Sequence, residues 1–209
     1  MEAHIAAWRT FAVAGLALYL GGLAAAFGLR GWLHYRRTGD WGIRRISSDG
    51  PLLGRLGALL FGASLALGAV GLVVGVAAPA WRLPASDAAA WTGVVVCAVG
   101  LVGVLASQFA MGSSWRVGVD PTERTELVTS GVFAWVRNPI FTAMGVTLLG
   151  LALMVPNALL VLATVLFIVG VQLQVRVVEE AYLLKTHGDD YLRYARRTGR
   201  FLPGIGRLP

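Results

Sequence analysis

The sequence predicts an all-α, polytopic membrane protein, and three observations lead there. Of its 209 residues, 56% are hydrophobic and 14% charged, with a mean hydropathy of +0.69, too apolar for a soluble domain of this length. Several apolar runs approach or exceed the roughly 20 residues with which a helix crosses about 30 Å of hydrocarbon while satisfying its own backbone hydrogen bonds. Strand-like alternation is absent, which argues against a barrel.

The first span is expected from about Ala6 to Leu29, ending at Arg30. It lacks a basic stretch before it and a clear small-residue cleavage site after it, so it reads as a retained helix. Arg36, Arg37, Arg44 and Arg45, with Trp32, Tyr35 and Trp41, mark the following polar loop as interfacial. A second span runs from about Leu56 to Ala78, and Pro79, Pro84 and Asp87 separate it from a third, Ala88 to Ala110. Gly71 with Gly75, and Gly100 with Gly103, thin these two helices in a pattern that serves close packing.

After Met111 the chain carries too many charges and turn formers to lie in lipid, up to Asn138. Pro139 opens a fourth span that runs to Val155, Pro156-Asn157 turns the chain, and a fifth span runs from Ala158 to about Val178. So short and uncharged a turn predicts an antiparallel hairpin. Beyond Glu179, apolar positions at Tyr182, Leu183, Leu184, Tyr191, Leu192, Tyr194 and Ala195 interleave with Lys185, Arg193, Arg196 and Arg197. With Gly188 interrupting them, two short amphipathic helices on the membrane surface are expected. The chain thus divides into a three-helix scaffold, 1–111, and a site-bearing half, 112–209.

With five spans, only Arg9 and Arg82 of the 18 Lys and Arg fall on the N-terminal side. That asymmetry predicts an N-terminus outside and a C-terminus in the cytoplasm, with Leu127 to Phe141 and the chain from Glu179 onward on one cytoplasmic face. The net charge of +7 is explained by this topology and not by nucleic acid, since no soluble basic domain presents it. Cys97 is the single cysteine, so no internal disulfide can form. His4, His34 and His187 lie too far apart for a recognisable metal motif, and no metal is expected. A glycine-rich nucleotide fingerprint after a strand is also missing, so any cofactor site is not of the Rossmann type.

Two places carry candidate chemistry. Arg137-Asn138-Pro139 has one structural reading, with Asn as N-cap, Pro at the first helical position and Arg at the membrane boundary. It has one functional reading, in which free backbone N–H groups and a cation seat a carboxylate. Glu179-Glu180 places two carboxylates at the end of an apolar span, against the helix dipole. Pairing with Arg176 is its structural reading; holding a ligand hydroxyl, an ammonium or a cationic cofactor is its functional one. Trp115-Arg116 reads either as an interfacial anchor or as a cap on a cofactor pocket.

LVTSGVFAWVRNPIF, the short hairpin and EEAYLLKTHGDDYLRYARRTGRFLP, in that order, resemble the isoprenylcysteine carboxyl methyltransferase and phospholipid methyltransferase family of integral membrane enzymes. The preceding SSWRVGV is similar to bacterial members, and the likeness covers Gly112 to Pro203. The resemblance implies S-adenosylmethionine as cofactor and a lipophilic or prenylated acceptor arriving from the bilayer. It implies that Glu126, Leu127 and Val128 line the adenosine, with Phe133 at the family's aromatic position after the Gly131 turn, that Asn138, Pro139 and Phe141 hold the methionine end, and that Glu179, at the first acidic position of the EE pair, also binds cofactor. Arg176, Glu180 and Arg137 are the expected catalytic set, Arg176 and Glu180 orienting substrate. The Ala, Gly, Val and Arg bias suggests a bacterium, hence the inner membrane.

Asn138 stands where the family has His, and Phe141 where it has Tyr. Asn does not titrate near neutrality, which points to an acceptor that needs no general base, a carboxylate. Two rivals stand beside this reading: a membrane sterol or enone reductase using NADPH in a related architecture, and a non-catalytic binding or assembly protein on the same scaffold. The sequence carries no signal for oligomeric state.

Overall fold

The computed structural model describes residues 2–44, 51–118 and 126–209, with side chains from residue 5 on. Arg45, the His4 side chain and part of the polar loop, 119–125, lie outside the described residues. Helices make up most of the described chain, and the extended pairing among the described residues is three isolated bridges.

α1 spans Glu2–Leu23. It does not stop at Arg30, as the charge pattern suggested. It passes through a six-residue π-helical segment, Ala24–Leu29, into α2, Arg30–Thr38. Charge alone does not end a helix; the break comes where Gly39 adopts φ +76 and its N–H returns to Tyr35 O at 2.8 Å. α3 spans Leu52–Ala77. α4, Asp87–Ala110, is capped by Ser86, whose hydroxyl accepts from Ala89 N at 3.2 Å.

α5 spans Pro139–Met154 and α6 spans Ala158–Leu173. Between them Asn157 accepts from Leu160 N at 3.1 Å and donates to Gly71 O at 3.0 Å, capping α6 and tying the turn to α3. α6 then runs without a break through a second π-helical segment, Gln174–Glu179, into α7, Glu180–His187. The first expected tail helix is therefore an extension of the last span, since nothing between Val178 and His187 breaks the backbone. Gly188, at φ +52 and ψ −125, does break it, and α8 follows over Asp189–Arg197.

Among the described residues, four helical stretches are long and apolar enough to cross a membrane: Ile5–Thr38, Leu52–Ala77, Asp87–Ala110 and Ala158–His187. α5 is apolar but has 16 residues, about 24 Å at 1.5 Å per residue. Many outward side chains are large and apolar, among them Leu59, Val102, Val165 and Ile168, as expected of a surface facing hydrocarbon. The protein is an integral membrane protein by this composition and helix length.

α5 packs mainly on α4, and α6 on α3, so the two arms of the hairpin each lean on another helix. Glycine makes both contacts close: a Cβ at Gly150 would stand 2.3 Å from Cys97 N, and one at Gly170 2.8 Å from Phe61 N. Gly71 meets Leu160 and Gly100 meets Thr147, so the spaced glycines do serve packing. The core between the helices includes Tyr19, Leu72, Leu151, Leu160 and Phe167. A separate cluster forms under α8, where Tyr191, Tyr194 and Ala195 meet Leu127, Leu183 and Leu208.

Candidate active site

Glu179 and Glu180 sit where the second π-helical segment joins α7. Successive helical residues point about 100° apart, so the two carboxylates leave on different faces and meet different environments.

Glu180 is buried, 6% exposed. Its Oε1 accepts from Arg137 Nη2 at 2.6 Å and from Arg200 Nε at 2.7 Å, and its Oε2 accepts from Arg200 Nη2 at 2.9 Å. Arg137 is buried as well; its Nη1 donates to Ala195 O and Thr198 O, and Nη2 also donates to Gly206 O. The bond to Glu180 holds the Arg200 guanidinium above its ordinary pKa. The sequence assigns Arg137 to the cofactor and Glu180 to substrate orientation. Their charged atoms are instead buried and committed to each other, to Arg200 and to backbone carbonyls, which makes them the clamp of the C-terminal segment.

Backbone pairing brings Arg137 to that clamp. Val136 to Asn138 lies beside Gly199 and Arg200, with Arg137 N donating to Gly199 O at 2.8 Å and Asn138 N to Arg200 O at 3.1 Å. The Asn138 side chain occupies the N-cap position of α5 without capping it; its Nδ2 donates to Arg200 O at 3.1 Å. Thr142 adds a bond from its hydroxyl to Phe201 O at 2.8 Å. Gly199 is obligatory in this hook, because a Cβ there would lie 2.0 Å from Leu202 O. α8 closes over it: Tyr194 Oη donates to Phe133 O at 2.6 Å, and burial beside Glu180 pushes the Tyr191 phenol up to about 12.

The other face belongs to Glu179. It is half-buried, and among the described residues it makes no hydrogen bond or ion pair; its charged neighbours are Arg116 and Glu180. The Arg116 guanidinium stacks on the Tyr182 ring at 5.2 Å. Glu126 is exposed, Leu127 and Val128 are half-buried, and Leu127 packs under α8. Phe133 and Pro139 are buried. Phe141 turns into the helix core, edge-on to Phe61 at 6.1 Å. Arg176 is exposed and its Nε donates to Gln172 Oε1 at 3.0 Å; the pairing with the carboxylates that was their structural reading is not made among the described residues.

Sequence reading missed Arg200 as the second counter-ion of Glu180, and missed Arg30, which is buried and donates from Nη2 to Gly112 O at 2.7 Å. A signal for Arg200 was present: a buried glutamate at a helix end needs cations, and Arg200 immediately precedes the closing Phe-x-Pro.

The arrangement offers a carboxylate with no hydrogen bond or ion pair among the described residues, the Arg116 cation near it, an apolar strip at Leu127 and Val128, and the uncapped start of α5. Such a set can hold a ligand that carries hydroxyl or ammonium donors, a carboxylate and a flat apolar ring. The chain is 29% identical over 117 residues, 55% of its length, to the nickel-cobalt-cadmium resistance protein NccN of Alcaligenes xylosoxydans xylosoxydans. It spans about half the length of that relative, 53%. The phospholipid methyltransferase family model matches residues 88–190, from the start of α4 into α8, including Leu127 to Phe141 and both glutamates. Over residues 88–190, just under half of its length, this chain is similar to the phospholipid methyltransferase family.

Proposed function

We propose that the protein transfers a methyl group from S-adenosylmethionine to a lipophilic acceptor that enters from the bilayer, most simply a carboxylate. The observation that carries this reading is Glu179, a half-buried carboxylate with no hydrogen bond or ion pair among the described residues, in the family's matched region. Buried or half-buried charges are ordinarily paired, and a ligand that donates hydroxyls or an ammonium supplies what Glu179 lacks.

In this reading Glu179 holds the donors of the cofactor, Leu127 and Val128 face its adenine, and the amides at the start of α5 receive its carboxylate. S-adenosylmethionine supplies an electrophilic methyl group on a cationic sulfur. Arg137, Glu180, Asn138 and Arg200 hold the walls in register. Arg176, exposed in the second π-helical segment, meets an anionic acceptor. Asn138 holds no titratable proton near neutrality, and a carboxylate nucleophile needs no base, so rate enhancement comes from alignment and exclusion of water. The topology that suits this has the N-terminus outside and the site on the cytoplasmic face of a bacterial inner membrane.

The test is calorimetry of the detergent-purified protein with S-adenosylhomocysteine, with NADPH as the rival ligand, followed by transfer of labelled methyl to extracted membrane lipids. Binding of S-adenosylhomocysteine and an alkali-labile label, the mark of a methyl ester, are expected. Binding of NADPH alone would move the protein to a reductase reading, and an alkali-stable label would move the acceptor to an amine.

A further inference from the structure

We infer that the segment from Arg30 to Arg44, in the half of the chain that the family match does not reach, is a working part of the active site. It clasps residues 112–118 and so sets Arg116 against Glu179 and Tyr182, with Arg30 as the positioning residue. The inference rests on the reading of Glu179 as a cofactor residue.

The clasp has three layers. First, Arg30 Nη2 donates to Gly112 O at 2.7 Å, and its guanidinium lies 4.6 Å from the centre of the Trp115 ring. Arg30 is 3% exposed, and among the described residues no carboxylate pairs with it. The cation is stabilised by carbonyls at the end of α4 and by aromatic faces, both of which belong to the chain leading into Arg116. Second, His34 meets Trp115 edge-on, at 5.6 Å. Third, the backbones pair: Val117 N donates to Gly42 O at 2.7 Å and Arg44 N to Val117 O at 2.9 Å. Gly42, at φ +68, lets the loop approach, since a Cβ there would lie 2.9 Å from the Trp115 ring.

Arg116 is thus fixed from both sides, by Trp115 at 2% exposure and by the Val117 bonds. Its side chain reaches Tyr182 and is the cation beside Glu179. A loop held only by its own half of the chain would not need a buried, carboxylate-free arginine from the first helix. The Gln108 amide, donating to Ala26 O at 3.0 Å inside the first π-helical segment, fixes the turn from which Arg30 projects.

A double-mutant cycle on the full-length protein tests this, with S-adenosylhomocysteine affinity as the readout and thermal unfolding beside it. Arg30→Lys keeps the charge but loses the planar fork that serves Gly112 O and Trp115 together. Arg30→Lys and Arg116→Met should each weaken binding about tenfold, and the double variant should be no weaker than Arg116→Met alone, because Arg30 acts through Arg116. Additive losses, or wild-type affinity in Arg30→Lys, would overturn the inference while leaving Glu179→Gln to report on the cofactor site itself. Where Arg30→Lys does not fold, Gly42→Ala replaces it in the same cycle, with the same two outcomes. Failure of the wild-type protein to bind S-adenosylhomocysteine would instead remove the methyl-transfer reading, and this inference with it.

Discussion

Arg137 Nη2 and Glu180 Oε1 stand 2.6 Å apart at the centre of a buried network that joins the start of α5, the start of α7 and the C-terminal hook. Removing one partner of a buried pair leaves a charge without compensation, which destabilises by roughly 3–5 kcal/mol. Glu180→Gln leaves two arginines facing a neutral amide, and Arg137→Met leaves four acceptor bonds unmade. Both should lower the unfolding temperature in detergent more than any substitution at Glu179 does; a thermal shift near zero for either would show that the pair is dispensable.

Glu179→Gln is expected to behave in the opposite way. Because Glu179 makes no hydrogen bond or ion pair among the described residues, the variant should unfold within a degree or two of wild type, while affinity for S-adenosylhomocysteine falls about tenfold, the equivalent of roughly 1.4 kcal/mol. Calorimetry set beside the thermal scan separates the two effects. Equal loss of stability and binding would mean that Glu179 is structural.

Much of this division was hidden in the sequence, where the two glutamates look alike. The apolar helices, the turn at Pro156-Asn157 and the break at Gly188 were legible because each has a local physical cause: hydropathy, capping or a glycine conformation. Helix ends at Arg30 and Val178 were misplaced because charge marks a membrane boundary without ending a helix, and both helices continue through π-helical segments. The partners of Glu180 and the clasp on Trp115 depend on loops meeting across 20 to 82 positions of chain, and such pairings leave no periodic trace. Asn138 was legible as a helix start but not as a side chain turned to Arg200.

Asn138→His tests whether the missing imidazole matters. Its N–H can replace Nδ2 in the bond to Arg200 O, so folding should survive. With a carboxylate acceptor the rate should change less than about threefold and stay flat with pH around neutrality, since no base is needed. A rate that rises with pH through the range where histidine titrates would point to an acceptor that must lose a proton.

Gly199→Ala should release the C-terminal hook. The added methyl would lie 2.0 Å from Leu202 O, a backbone atom that cannot swing away, so Arg137 N and Asn138 N would lose their acceptors on Gly199 and Arg200. Limited proteolysis should then cut between Thr198 and Arg207 well below the temperature at which the helices unfold. Resistance equal to that of wild type would show that the hook accommodates a side chain.

Asp40 supplies the pH dependence of the clasp. Hydrogen bonds from Arg44, then from Gly42 N, hold its carboxyl below the ordinary value, at about 2. A depressed pKa means that the folded state binds the proton less readily than the unfolded chain, so the group's stabilisation is present above about pH 4, is lost between there and about 2, and is gone below. Asp40 is 43% exposed, and solvent screening keeps the effect on global unfolding small. Its effect should be local: as pH falls through that window, amide hydrogen exchange at Gly42, Arg44 and Val117 should become less protected relative to the α3 and α6 cores. Asp40→Asn should show the weaker protection already at neutral pH and little further change on acidification. Equal protection in the two proteins at neutral pH would separate Asp40 from the clasp.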